Sequence, residues 1–336
     1  MSLEVLWFVI VGFFWTGFFV LEGFDFGVGM LHRSVGRTEA ERRAALGSVG
    51  PLWDGNEVWL IVGGAAIFAA FPAWYATWFS AGYLAVMLLL VALIIRGVSF
   101  EWRGRADGAR WRGSWSWTLT IGSALIPLVL GIALGDLLVG LPINDAELFT
   151  GAVWDLFTPY GLWMGLTLVV LSLLHGSTFL GLRTAGVVTE RAHATASRIS
   201  WPAVVVVAVF AVWTVTVSDG GVWRAAAAAI PVFGALAAAV LLRAGREGAS
   251  FAGTAVAIGG TVAALFANLY PNVLVSSTST ANSLTVAGAA SSEYALKVMT
   301  VVAAVITPLV LLYQGWSYWV FRARVTASPD PVAVGS

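Results

Sequence analysis

Apolar stretches about 20 residues long recur along almost the entire chain, and they restrict its fold more than any motif does. A helix needs about 20 apolar residues to cross a hydrocarbon core about 30 Å thick. Hydrophobic residues make up 59% of the 336 residues and charged residues only 11%, against about 25% charged in a soluble domain. The pattern predicts an all-α integral membrane protein with nine transmembrane helices. We place these helices at residues 3–30, 52–71, 74–96, 116–139, 158–182, 201–217, 223–242, 251–270 and 295–321.

Basic residues are concentrated in alternate loops, and this distribution predicts the orientation. With nine helices, 16 of the 18 Lys and Arg residues fall on one side, and only Arg224 and Lys297 fall on the other. Because loops rich in Lys and Arg stay in the cytoplasm, we expect the N-terminus outside and the C-terminus in the cytoplasm. Eight or ten helices would scatter these charges over both faces, so the charges support nine.

Composition excludes several classes of function. The net charge is zero, so the chain lacks the basic surface that nucleic acid binding requires. The absence of cysteine excludes disulfides, thiolate zinc sites and cysteine-held iron–sulfur clusters in this chain. No Ser-His-Asp set, HExxH motif or Walker sequence is present. The first apolar segment begins with Glu4 rather than with a basic region, so we expect a membrane span and not a cleaved signal peptide.

Charged residues interrupt the cytoplasmic halves of the first three predicted helices. They are Glu22, Asp25, Asp54, Glu57, Arg96 and Glu101. A carboxylate at the centre of a membrane helix costs about 2.5–3.5 kcal/mol on insertion scales. Glu22/Asp25 and Asp54/Glu57 are spaced i, i+3, so each pair shares one helix face. Four acids that converge with one arginine cannot all be ionised comfortably, which suits a proton relay that opens to the cytoplasm.

A purely structural network is the alternative interpretation of the same residues. Arg96 would pair with one acid, and the other acids would cap helix ends. Asp54 and Asn56 would then serve as N-cap groups of the second helix. The residues alone leave both interpretations open.

Histidine is scarce, and His175 is the only one inside a predicted span. A bis-histidine haem needs two buried imidazoles, which the chain does not supply. A single axial ligand remains open, although a lone histidine in a membrane helix is more often a packed residue with hydrogen-bond partners.

The glycines of segment 23–29 (GFDFGVG) predict helix packing rather than phosphate binding. They lack the preceding strand and the Lys-Ser/Thr pair of a phosphate loop. Gly23 and Gly27 form a GxxxG pair, which lets two membrane helices approach closely.

Several segments together resemble subunit II of the cytochrome bd-type quinol oxidases. The N-terminal ones are LEGFDFGVGML (21–31), GPLWDGNEVWL (50–60), FAAFPAWYATWFSAGY (68–83) and LIIRGVSFEWR (93–103). The C-terminal ones are LYPNVLVSS (269–277), SLTVAGAASS (283–292) and TPLVLLYQGWSYWVFR (307–322). The resemblance extends from end to end, whereas LLHGSTFLGLRT (173–184), which holds His175, matches only loosely and carries no family role.

The resemblance implies a fold and an activity. The family couples quinol oxidation to the reduction of O2 to water in the bacterial cytoplasmic membrane and generates a proton-motive force. Its fold is two four-helix bundles plus one peripheral helix. For this chain that implies bundles at about 1–140 and 155–272, a ninth helix at about 293–322 and a cytoplasmic tail at 323–336.

The resemblance also implies cofactors and partners. Two b-type haems and haem d belong to subunit I, so this chain is expected to ligate no metal or haem. Subunit I is the expected partner, in some members with a small single-helix accessory chain. Lipids are expected around the helices. A quinone tail is expected in a structural role. The bias of 17 Arg to one Lys indicates a GC-rich bacterial genome, and a GC-rich actinobacterial host would favour menaquinone.

Two site residues are carried over from the family by position. Asp54, the acid of the WDGNE segment, falls on the family's proton path to the haem d site, with Asp25, Glu57, Glu22, Arg96 and Glu101 as the supporting network. Trp59 falls where the family's O2-access channel passes.

Two other functions remain open from the residues. A proton-coupled transporter would also use intramembrane acids, a GxxxG pair and a helix broken by Pro231. It is less favoured, because the acids lie on one side and the helix count is odd, with no inverted repeat. A purely structural assembly subunit differs from the oxidase hypothesis only in the role of Asp54.

Overall fold

The computed structural model describes residues 1–218 and 220–327, and within these ranges the fold is almost entirely helical, as predicted. The α-helices are α1 (Leu3–Val35), α2 (Glu39–Gly47), α3 (Trp53–Ala70), α4 (Pro72–Ala81), α5 (Tyr83–Trp102), α6 (Ala109–Val139), α7 (Pro159–Arg183), α8 (Val187–Val217), α9 (Val222–Arg243), α10 (Glu247–Leu269) and α11 (Glu293–Val320). Strands β1 (Asn272–Leu274) and β2 (Leu284–Thr285) form a short antiparallel pair. Of the predicted tail, residues 328–336 lie outside the described ranges.

Eight of the described helices are long and apolar enough to cross a membrane, namely α1 and α5 to α11. The helix α3, which coincides with the second predicted span, is not among them. Its 18 residues extend over about 27 Å at 1.5 Å per residue, but Asp54, Asn56 and Glu57 make its first turns polar. The count of nine therefore stays a prediction.

The bounds predicted for the third span, 74–96, are wrong. A separate helix, α4, begins at Pro72, and Gly82 ends it with non-helical backbone angles before α5 begins. Apolar and aromatic side chains continue on both sides of the break, so the hydropathy pattern conceals it. The side chains of Trp74 and Trp78 on α4 are buried against the core.

The helix α1 lies at the centre of the molecule and crosses α7 with the two backbones in contact. A Cβ added to Gly27 would lie 2.7 Å from the Cα of Gly176, and one added to Gly23 would lie 2.6 Å from Ile258 on α10. Small residues permit this close approach. The packing role predicted for the GxxxG pair is confirmed.

A second glycine contact joins α6 to α7. Gly131 and Gly135 on α6 face Gly165 and Gly161 on α7, and a Cβ on Gly131 would lie only 2.5 Å from the Cα of Gly165. Two GxxxG pairs therefore pack against each other and fix α7 between α1 and α6.

Pro231 lies inside α9 and does not break it. The helix continues from Val222 to Arg243. A proline in a membrane helix is tolerated where neighbouring groups satisfy the freed backbone, and here α10 approaches so closely that a Cβ on Gly260 would lie 3.1 Å from the Pro231 nitrogen. The broken span that would favour a transporter is therefore absent at this position.

The helix α11 is attached to the others mainly through its two ends. Its side chains are largely exposed, and Leu296 is the buried one. Near its start, Trp7 Nε1 on α1 donates to the Leu296 carbonyl at 3.2 Å and to Thr300 Oγ1 at 3.0 Å. Near its end, Gln314 and Tyr318 reach α3.

Ion pairs connect helices at the end of the molecule that we call the arginine-rich end, which comprises the loops 36–52, 103–108 and 184–186 together with the helix ends that flank them. Arg103 forms two hydrogen bonds to the Glu39 carboxylate on α2, both 2.8 Å long. Arg191 on α8 donates to Glu41 at 2.7 Å. These bonds attach α2 to the end of α5 and to α8.

Candidate functional site

Arg96 is the centre of a buried ionic cluster near the arginine-rich end. The helix α5 carries it between α1 and α3, where its side chain is fully buried. Its Nη1 lies 2.5 Å from Glu22 Oε1 and 3.2 Å from Glu57 Oε2, and its Nε donates to Ser123 Oγ at 3.3 Å. A buried charge has to be paired to be tolerated, and Glu22 and Glu57 supply that pairing from two helices.

Glu22 and Asp25 form a carboxyl pair on one face of α1. Both side chains are fully buried, and their i, i+3 spacing places them side by side on the helix. Glu22 Oε2, Asp25 Oδ1 and Arg96 Nη2 have no hydrogen-bond partner among the described residues. One arginine neutralises one carboxylate, so the remaining carboxyl groups of the cluster become neutral only by taking up protons. The arrangement can therefore hold and exchange protons.

Asn56 connects this cluster to α11. Its Nδ2 donates to Asp25 Oδ2 at 2.7 Å and to the Leu21 carbonyl at 3.2 Å. Its Oδ1 accepts from Gln314 Nε2 at 2.8 Å and from the Tyr318 hydroxyl at 2.9 Å. The sequence-based predictions of site residues missed Gln314 and Tyr318, although the amide of Gln314 in the mostly apolar second half of the ninth predicted span was a signal.

An apolar groove separates α3 from α5 and has carboxylates at one end. Its volume is about 770 Å³. Asp54 and Glu57 lie at the end nearer the arginine-rich loops, and Tyr75, Trp78 and Phe79 lie at the other. Asp54 is exposed, whereas Glu57 is half-buried and reaches inward to the cluster. Asp54 is thus the accessible acid and Glu57 the acid that joins the groove to the buried residues.

The predicted capping role of the WDGNE segment is wrong. The helix α3 begins after Leu52, whose side chain makes no capping hydrogen bond, and Asp54 lies in the first turn. Asn56 is a full turn into the helix, and its side chain is directed at α1 and α11.

Glu101 and Trp59 lie away from the cluster. Glu101 is exposed in the last turn of α5 and has no hydrogen bond or ion pair within the described ranges. Trp59 is buried, and its ring fills the space beside Gly17 on α1. The rings of Phe13 and Phe14 lie 5.8 and 5.9 Å from it. Trp59 is therefore a packing residue at the α1–α3 contact, and its role in oxygen access stays a prediction.

His175 has both ring nitrogens engaged and offers no free ligand atom. Nδ1 lies 2.6 Å from Thr254 Oγ1, and Nε2 lies 3.1 Å from the Val20 carbonyl oxygen. The ring stacks on Phe251 with centroids 4.5 Å apart. Iron ligation would break one of these hydrogen bonds and displace a stacked ring, so the surroundings of His175 do not fit a haem.

Polar contacts continue from the groove to α11. Asp54 lies beside Glu57, Glu57 contacts Arg96, and Arg96 contacts Glu22. From there Asp25 and Asn56 lead to Gln314 and Tyr318. Among the described residues, no group of three or more His, Cys, Asp and Glu could hold a metal ion. Such a set of carboxyl groups can take up and release protons, and it can also hold the helices together as an ion-pair network.

The model of the family described as cytochrome bd terminal oxidase subunit II matches residues 3–321. The chain belongs to this family. Cytochrome bd ubiquinol oxidase subunit 2 of Bacillus subtilis (strain 168) is 42% identical over 329 residues, which cover 97% of each chain. Cytochrome bd-I ubiquinol oxidase subunit 2 of Escherichia coli (strain K12) is 37% identical over 361 residues, covering 96% of this chain and 95% of the relative.

A solved structure has the same fold. The bd oxidase of Geobacillus thermodenitrificans contains a chain that is 19% identical, with a TM-score of 0.73 and coverage of 95% of this chain and 97% of that one. Together with the eight apolar helices, membership of the subunit II family identifies a multi-pass protein of the bacterial cytoplasmic membrane.

Proposed function

We propose that this chain is the haem-free partner of a haem-bearing subunit I in a bd-type oxidase. The complex oxidises quinol, reduces O2 to water and generates a proton-motive force. Membership of the subunit II family supports the assignment to the complex. The two engaged nitrogens of His175 support the haem-free role.

The same proposal assigns proton transfer to the acid cluster. Protons enter from the cytoplasm at Asp54 and pass to Glu57 and the buried cluster beyond it, toward subunit I. The single observation that carries this path is the position of Asp54, which is exposed at the end of the groove and adjacent to a half-buried acid paired with Arg96. A structural network would not require an exposed carboxylate there.

Subunit I would cover the open face formed by α3, α5 and α11. This face presents large apolar side chains that a partner helix or lipid would bury: Val58, Ile61, Phe68, Leu84, Leu88, Val91, Ile94, Val305, Leu309 and Leu312. A small accessory chain remains a prediction, and so does a structural quinone, whose isoprenoid tail would suit the apolar groove of about 770 Å³ between α3 and α5.

We further propose nine membrane helices, in which α3 is the second span along the chain and adds to the eight apolar helices, with the N-terminus outside and the arginine-rich end in the cytoplasm. The arrangement is two bundles, α1, α3, α5 and α6 and then α7 to α10, with α11 peripheral. The 16 basic residues on one side support this orientation. Reporter fusions after Gly104 and after Asn144 test it. With the N-terminus outside and α3 as a span, the first reporter lies in the cytoplasm and the second outside. Without a span at α3 the two sides are exchanged.

The test of the subunit assignment is purification from the native membrane in mild detergent. We expect a second large helical subunit and a reduced-minus-oxidised spectrum with b- and d-type haem bands. The chain expressed alone should show no haem bands. A haem-free chain that purifies alone from its native membrane, with no second subunit, would contradict the proposal.

A further inference from the structure

The side chain of Asn56 uses all four of its hydrogen-bonding positions, and α11 fills two of them. On one side its amide nitrogen donates to Asp25 Oδ2 and to the Leu21 carbonyl. On the other side its oxygen accepts from Gln314 and Tyr318. A buried amide is stable only when such partners are present, so the position of Asn56 depends on α11.

The orientation of this amide follows from its neighbours. The Leu21 carbonyl can only accept, so the amide nitrogen has to face α1. The oxygen therefore faces α11. If its two donors are removed, a fully buried acceptor remains unsatisfied, at a cost that favours rotation of the side chain or entry of water. Either change weakens the bond from Asn56 to Asp25.

The spacing and packing of Gln314 and Tyr318 direct both side chains at Asn56. They are spaced i, i+4 and share one face of α11, on a helix whose other large side chains are mostly exposed. The ring of Tyr318 packs edge-on against Phe24 of α1, with centroids 6.3 Å apart and planes at 88°. This packing directs the hydroxyl at Asn56.

We propose that Gln314 and Tyr318 are positioning residues for the proton path, acting on Asp25 through Asn56. The inference rests on the proposed function for its consequence in turnover, but the hydrogen-bond chain itself can be tested separately. The other charged or titratable groups around Asp25 are Glu22 on its own helix, Glu57 on α3 and Arg96 on α5.

Infrared spectroscopy of the purified complex tests the chain of hydrogen bonds directly. Asp25→Asn identifies the carboxyl absorption that belongs to Asp25. We expect the double variant Tyr318→Phe/Gln314→Leu to gain protonated-carboxyl absorption at that position at a fixed pH. The ratio of protonated to ionised Asp25 should change by about tenfold or more, the effect of losing one hydrogen bond to a charged group. Tyr313→Phe is the matched control, because Tyr313 is exposed on the same helix.

A second substitution shows whether the effect passes through Asn56. Asn56→Leu should reproduce the change in absorption, and Tyr318→Phe should add nothing to it. An additional change would overturn the proposal, and so would an unchanged Asp25 absorption in the double variant. If the double variant does not assemble with subunit I, Tyr318→Phe alone, which removes one oxygen atom, gives the same test.

The outcome is independent of the proposed proton path. If the absorption changes but turnover does not, the positioning role stands and the path through Asp25 fails. If turnover falls with no change at Asp25, α11 acts on turnover by another route and this inference is overturned.

Discussion

Arg96 Nη1 lies 2.5 Å from Glu22 Oε1, and neither side chain is exposed to solvent. The guanidinium group also lies 4.9 Å from the ring of Phe26 and 5.3 Å from that of Phe100. The ion pair therefore sits in apolar surroundings, where an unpaired charge is costly. The cluster is both a structural contact between α1 and α5 and the inner part of the proposed proton path.

Removal of the arginine should destabilise the complex strongly. Arg96→Leu leaves the fully buried Glu22 without its cation, and breaking a buried ion pair in this way costs about 3–5 kcal/mol. Adding Glu22→Leu should restore part of the loss, because it removes the buried carboxylate that has lost its cation. Glu57, the other partner of Arg96, is partly exposed and can turn toward the groove. The midpoint of thermal unfolding, followed by tryptophan fluorescence of the complex, measures both effects. A double variant that is less stable than Arg96→Leu alone would contradict this account.

The glycine contact between α1 and α7 should not tolerate a methyl group. In Gly27→Ala, the new Cβ would overlap the Ser172 carbonyl oxygen and the Gly176 backbone, none of which can move as a flexible side chain does. We expect a loss of about 1–3 kcal/mol, as for other overpacked sites. Gly113→Ala on α6 is the control, because nothing lies within 4 Å of its added Cβ. Equal unfolding midpoints for the two variants would argue against this contact.

The attachment of α2 should weaken in acid. Hydrogen bonds from the backbone amides of Arg37 and Thr38, and then from the Arg191 side chain, hold the pKa of Glu41 below its ordinary value of 4.5. A group with a lowered pKa stabilises the fold above its unfolded pKa and loses that contribution as the pH falls through the folded value. Proteolysis of the 36–51 segment should therefore accelerate below about pH 4.5. Glu41→Gln should remove this dependence; a variant with the parent's pH profile would disprove it.

Much of the fold could be predicted from the apolar segments, because lipid requires each spanning segment to be helical. The break between α4 and α5 could not, since Gly82 interrupts an apolar run without changing its hydropathy. For α3 the sequence misleads in the other direction. Asp54, Asn56 and Glu57 lower its hydropathy below that of the other long helices, although it packs with them.

The site could be predicted in part. Intramembrane charge is rare, so Glu22, Asp25, Glu57 and Arg96 were identifiable as one cluster, and the structure brings them together. The structure does not bring Glu101 into the cluster, because its position at the end of α5 turns it toward solvent. The contacts of α11 depend on which face of an almost uniformly apolar helix turns inward, and spacing alone does not determine that.

Electrogenic proton uptake by the complex in proteoliposomes tests the central claim most directly. We expect Asp54→Asn to slow proton uptake and oxygen consumption at least about tenfold, since relay by a positioned acid typically contributes a factor of 10² or more. Glu101→Gln is the matched control, an exposed acid outside the cluster, and should keep the parent's rates. Haem bands and subunit ratio should stay unchanged in both variants. Wild-type proton uptake and oxygen consumption in an assembled Asp54→Asn complex would contradict a proton path through Asp54.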